Sequence, residues 1–203
     1  MTSARPFTIL VVCTGNICRS PLAEQLLSAR LLGAATPFVV TSAGTMAQDG
    51  APMDDLAAEQ SRRHGGVPDG HEATYLTEKL AESADLVLTA SREHRSAVVR
   101  LSPRATRRTF TLRQFARLAD SLGLAELEAA GDTAEVVRLV AGQRGMIPPA
   151  TDPDAEDVVD PYRRSVDVHE RAASDVDDAV TSIVAALRAP DRRFSDAGGG
   201  PAA

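Results

Sequence analysis

The run from Phe7 to Val12 is apolar and β-branched, and only eight residues, Cys13 to Ser20, separate it from Pro21, where the spacing turns helical. Such a run predicts a strand buried on both faces, as in a parallel sheet. From Pro21 to Leu32, Leu22, Leu26, Leu27 and Leu31 form the core stripe of a helix, with Ser20 as the expected N-cap and Pro21 as its first residue. Strand, tight loop, helix start: this opening restricts the chain to folds that carry a loop at the carboxyl edge of a sheet. The alternation continues. Strands are expected at Pro37 to Thr41, Asp85 to Thr89 and Arg107 to Thr111. Helices are expected at Asp54 to His64, Thr77 to Ser83, Arg92 to Leu101, Leu112 to Leu122, Ala134 to Ala141 and Asp167 to Arg188. Strands alternating with helices predict an α/β domain, a four-stranded parallel sheet doubly wound with helices on both faces. One domain is expected over residues 1–188, with 119–149 read as an insertion and 189–203, rich in Gly, Pro and Ala, as a flexible tail.

Ligands of such folds sit beyond the carboxyl ends of the strands, where Cys13 to Ser20 lies. Gly15 permits unusual backbone angles, so that successive N–H groups can converge on one point. The helix beginning at Pro21 aims its positive end there. Arg19 adds a permanently charged fork that fits two oxygens of a phosphate. The loop is thus built for a tetrahedral anion, and Cys13 stands where the donors converge. Positive surroundings and a helix N-terminus favour the thiolate, the nucleophilic form of cysteine. The loop matches neither the dinucleotide pattern G-x-G-x-x-G nor the nucleotide P-loop. Cys with Arg-Ser six residues on, between a buried strand and a Pro-started helix, predicts covalent phosphoryl chemistry, with Arg19 and the loop amides holding the equatorial oxygens.

Other classes are disfavoured. A net charge of -6 argues against nucleic acid, and no apolar run approaches the roughly 20 residues needed to span a bilayer. Met1 to Pro6 lacks the regions of a signal peptide, and two cysteines five residues apart do not make a secreted disulfide framework. A cytoplasmic setting is expected. His64, His71, His94 and His169 show no close ligand spacing, so no metal is expected, and no other cofactor.

The stretch from Cys13 to Pro21 resembles the signature loop of the low-molecular-weight protein tyrosine phosphatases. The resemblance extends in order through Ser42-Ala43-Gly44-Thr45, His71 with Ala73, Ala84-Asp85-Leu86 and Asp160-Pro161-Tyr162, over roughly residues 7 to 188. It implies a four-stranded parallel sheet and hydrolysis of phosphotyrosine in a protein substrate through a phosphocysteine. A carboxyl group must protonate the leaving oxygen and then activate water. From the residues alone, Asp152-Pro153 and Asp160-Pro161 are equally plausible. The resemblance selects Asp160, because the family's acid precedes Pro-Tyr. It makes Tyr162 a wall of the substrate cleft, with Thr14, Gly15, Asn16, Ile17, Cys18 and Ser20 around the phosphate. Asn16, Ser20, Ser42 and His71 become supports of the loop. Cys18 either packs behind the loop or resembles the second cysteine with which some relatives trap oxidised Cys13 as a disulfide.

The chain departs from the resemblance at several places. Arg163 stands where many relatives have a second aromatic, Met46-Ala47-Gln48-Asp49 carries no rim aromatic, and Ser91 replaces a frequent Asp. Ala119 to Pro149 is longer than the usual connection and is expected to be inert surface, with a flap or a partner-docking helix pair as the alternatives. Arsenate reductases resemble the loop but need further cysteines, and none follows Cys18. Protein-arginine phosphatases resemble it more closely but typically carry Thr where Ile17 stands. Ile17 therefore favours a phenyl ring, with arginine phosphatase as the runner-up. A non-catalytic phosphate-binding module is the remaining alternative. The identity of the substrate and the oligomeric state are not specified by these residues.

Overall fold

The computed structural model describes residues 5–148 and 150–196. Four parallel strands, β1 (Phe7–Cys13), β2 (Phe38–Gly44), β3 (Leu86–Thr89) and β4 (Thr109–Thr111), lie in the order β2-β1-β3-β4. β1 is central, and its side chains alternate as the pleat requires. Phe7, Ile9, Val11 and Cys13 enter the larger core, while Leu10 and Val12 enter a smaller one on the opposite face. Helices close both faces, as expected for an α/β domain.

The larger core is covered by α1 (Arg19–Leu31), α5 (Leu112–Leu122) and α8 (Val166–Leu187), which pack on one another. Leu22, Leu26, Leu27 and Leu31 of α1 are all buried in it, with Val176, Val180, Ile183 and Leu187 of α8. Fully burying each such side chain contributes about 1.5–3 kcal/mol. The other helices up to α4 are α2 (Asp55–Arg63), α3 (Glu78–Ser83) and α4 (Arg92–Leu101). Their starts follow from capping. The side chains of Asp54, Thr77 and Ser91 accept hydrogen bonds from the first-turn amides of α2, α3 and α4.

Three expectations need correction. Ser20 does not cap α1: the helix begins at Arg19 with no side-chain cap, and the Ser20 hydroxyl serves the loop instead. The segment after α5 is not inert surface. It contains α6 (Leu124–Glu128) and α7 (Thr133–Gly142), and Leu127, Val136, Val137 and Val140 are buried in the larger core. The expected tail begins as a helix, α9 (Ala189–Asp196), because Ala189 is buried and Asp191 Oδ2 accepts from the Ala35 amide at 2.9 Å. Pro149 and residues 197–203 of these segments lie outside the described residues.

Candidate active site

β1 ends at Cys13, and the chain turns at once through the loop into α1. The shape of that loop follows from where its carbonyls go. The Cys13 and Thr14 carbonyls accept from the amides of Thr45 at 2.9 Å and Met46 at 2.8 Å, and the Ile17 carbonyl from the Asp54 amide at 2.9 Å. His71 Nε2 donates to the Asn16 carbonyl at 2.7 Å. These carbonyls point outward. The loop peptides are trans, so the following N–H groups, those of Thr14, Gly15, Ile17 and Cys18, face the opposite way, into the loop. Gly44 lets the outer wall come this close. A Cβ there would lie 2.5 Å from the Thr14 carbonyl oxygen and 2.8 Å from the Asn16 nitrogen.

Asn16 is the hub. It is fully buried with φ of +55°, a left-handed conformation that Asn tolerates better than most residues. Its Nδ2 donates to Ser20 Oγ at 2.9 Å and Ser42 Oγ at 2.7 Å, and its Oδ1 accepts from the Thr74 amide at 2.8 Å. Ser42 donates onward to the Glu24 carboxylate. Ser20 Oγ, which accepts from Asn16 and reaches the Ala43 carbonyl at 3.4 Å, also lies 3.0 Å from Cys13 Sγ, within hydrogen-bonding distance. Cys13 is 2% exposed.

Arg19 is buried. Its Nη1 donates to the Val158 carbonyl at 3.4 Å, and its Nη2 lies 3.1 Å from Asp160 Oδ2. Its Nε is buried with no hydrogen-bond partner among the described residues, a donor free for an oxyanion. Asp160, Tyr162, Cys13, Thr14, Gly15, Ile17, Cys18 and Arg19 line one cavity of about 350 Å³, together with Met46, Gln48 and Ala51. The expected residues therefore converge. Asn16, Ser20, Ser42 and His71 do not line that cavity but support the loop behind it, so Asn16 and Ser20, expected around the phosphate, are buried supports. Asp152 does not line it: its side chain caps the short 3-10 turn Pro153–Glu156 beside an adjoining cavity that shares Thr14, Arg19 and Asp160, while Asp160 itself faces Arg19. Arg163, also at positive φ of 58°, does not replace an aromatic wall. Its guanidinium lies 5.1 Å from the centre of the Tyr162 ring, stacked on it.

Two supports escaped sequence reasoning. Glu24 anchors the Ser42 end of the chain of hydrogen bonds, and burial pushes its carboxyl up against the opposing pull of that bond. His94, buried on α4, bonds the Thr14 hydroxyl through Nε2 at 2.8 Å and Ser91 through Nδ1 at 2.7 Å. Burial, and then the Arg19 charge, lower it to about 4, so the imidazole is neutral at pH 7. Ser91, a departure from the resemblance, thus has a task of its own. Cys18 is a buried free thiol packed in the larger core. Burial pushes it well up, with Asp54 and Cys13 adding in the same direction.

Comparison with known proteins identifies the family. The profile of the family described as low molecular weight phosphotyrosine protein phosphatase matches residues 8–141. The low molecular weight protein-tyrosine-phosphatase Etp of Escherichia coli is 40% identical over 108 residues, 53% of this chain and 70% of that protein. A protein-arginine-phosphatase of Geobacillus stearothermophilus is 37% identical over 111 residues, 54% of this chain and 72% of that protein. The crystal structure of the Erwinia amylovora tyrosine phosphatase AmsI superposes with a TM-score of 0.64 at 26% identity, covering 92% of this chain and 97% of that one.

Proposed function

The chain belongs to the low molecular weight phosphotyrosine protein phosphatase family, and from that premise we propose that it hydrolyses phosphotyrosine in proteins through a phosphocysteine at Cys13. The observation that carries the proposal is the convergence of Cys13, Arg19 and Asp160 on one cavity, with inward amides beneath it. The phosphate occupies the loop, its oxygens on the amides and the Arg19 fork. The Cys13 thiolate attacks phosphorus in line, an S–P bond forms, and the P–O bond to the leaving group breaks. Asp160, beside Arg19, gives its proton to the departing phenoxide. Water then attacks phosphorus, Asp160 takes a proton from it, and the S–P bond breaks. Ser20 serves both half-reactions as donor to the sulfur.

Ile17 supports an aryl phosphate over a phosphoarginine. It is a partly buried apolar side chain on the cavity wall, with no hydroxyl to receive a guanidinium. Tyr162 and the exposed Met46 line the same cavity, so a ring entering it meets apolar surface, with Tyr162 as the one aromatic among the described lining residues. The two free cysteines fit a reducing cytoplasm.

Initial rates on phosphotyrosine, phosphoserine and phosphoarginine peptides, taken side by side, test the proposal. Phosphotyrosine is expected to turn over fastest and Cys13→Ser to be inactive. A faster phosphoarginine reaction would overturn the substrate assignment, and turnover by Cys13→Ser the mechanism.

A further inference from the structure

The end of the sheet away from Cys13 carries a groove of about 870 Å³. It forms where the strands begin: Phe7 opens β1, Asp85 precedes β3, and Arg107 and Arg108 precede β4. At a rise of about 3.3 Å per residue, β1 places this end roughly 20 Å from the nucleophile. The facing wall is α7, which presents Ala134, Val137, Arg138, Ala141 and Gly142, positions that share one helix face. The helical segment after α5 therefore builds a second concavity as well as core.

The charge of this groove is unlike that of the chain. Among the described residues its lining has five arginines against two carboxylates, in a protein of net charge -6. Three arginines have structural partners. Arg5 pairs with Asp85 at 2.6 Å, Arg108 donates to the Ala81 and Glu82 carbonyls, and Arg144 donates to the Thr106 carbonyl and lies 3.6 Å over the Phe110 ring. Arg107 and Arg138 are exposed, and neither side chain has a hydrogen bond or ion pair among the described residues. Like charges gathered without neutralisation repel one another, and an anionic partner removes that cost. Small side chains at Ala134, Ala141 and Gly142 let a polypeptide backbone lie close to α7.

We propose that this groove docks an acidic segment of a partner polypeptide, its Asp and Glu carboxylates on Arg107 and Arg138 and its small apolar residues along α7. A nucleic-acid strand fits less well, because Glu82 and Asp85 interrupt the positive lining and the rest of the chain is acidic.

The test is fluorescence anisotropy of a short labelled peptide of alternating glutamate and alanine, titrated with the full chain at low salt. Saturable binding is expected, weakened about tenfold or more in R107E/R138E and unchanged by saturating orthovanadate, which occupies the phosphatase site. Both residues are exposed and unpartnered, so the double variant should fold and keep its turnover of para-nitrophenyl phosphate, which serves as the control. Absence of saturable binding, equal binding by the double variant, or displacement by orthovanadate would each overturn the proposal. So would binding of tripolyphosphate without binding of the peptide. Self-association of the wild type that the double variant loses would give the groove to a second copy and overturn it too.

Discussion

Replacing Gly44 by alanine should cripple the enzyme without touching any group that meets the substrate. The added Cβ would stand 2.5 Å from the Thr14 carbonyl oxygen, 2.8 Å from the Asn16 nitrogen and 2.9 Å from Ala47 Cβ. Ordinary contacts of a Cβ begin at about 3.4 Å, so the nearest clash demands a displacement of nearly 1 Å. The strand cannot supply it, because the Gly44 amide donates to Thr74 and its carbonyl accepts from Leu76, both at 2.9 Å. The nucleophile loop must move instead, and its inward N–H groups move with it. Misplacing catalytic groups by about 1 Å costs on the order of 100-fold in rate. Overpacking of this kind costs about 1–3 kcal/mol in stability. The assay is kcat/KM for para-nitrophenyl phosphate, with a urea unfolding curve to show that the variant is folded at the assay temperature. A folded Gly44→Ala enzyme within about threefold of wild type would refute the claim that the loop is held against β2 by this contact.

Asp160→Ala is expected to slow turnover about 10²–10⁴-fold for substrates with poor leaving groups and much less for para-nitrophenol, whereas Asp152→Ala should leave both rates near wild type; rates across a leaving-group series decide between them. Asn16→Ala abandons two buried hydrogen bonds and a part-buried one and puts a Cβ-bearing residue without Asn's local bonding at φ of +55°, so urea unfolding should show a loss of about 2–4 kcal/mol, part of which Asn16→Gly restores. His94 is lowered from 6.5 to about 4, so the unfolded chain takes up its proton first as pH falls. Stability from this group is complete above about pH 6.5 and declines by about 3 kcal/mol down to pH 4; His94→Gln should flatten that part of the profile, and parallel profiles would sink the assignment.

Most of the fold was legible because its signals are local. β1 announces itself by β-branched residues, α1 by a leucine stripe, and the nucleophile loop by the spacing from Cys13 to Arg19. Asp160 was separable from Asp152 only through family resemblance, since both precede proline in the same acidic stretch. Contacts across long sequence separations hid the rest. Glu24 reads as a solvated helix charge until Ser42 is brought beside it, and His94 as an idle histidine until Thr14 lies 2.8 Å away. Ser20 carries every local mark of an N-cap, but the loop claims its hydroxyl first. The segment from Ala119 looked like surface because its helices are short. Leu124–Glu128 spans five residues, and burial of Leu127 and Val136 comes from packing that no window reveals.

The pairing of Cys13 with Gly44, at the last residue of a central strand, sets which codons can be gained or lost. β1 is bonded on one side to β2 through all seven of its residues and on the other to β3 through four. Deleting one codon anywhere between Phe7 and Val12 would turn the sulfur to the opposite face of the sheet and send Val12 and its neighbours the wrong way into both cores. No compensating shift exists, because two partner strands hold the register at once. Length can instead vary between β4 and Asp160, where this chain carries α5, α6 and α7, since only the far ends of that stretch are fixed by the chemistry. Lineages of such proteins should therefore diverge by insertion there, while the codons of β1 change in letter but not in number.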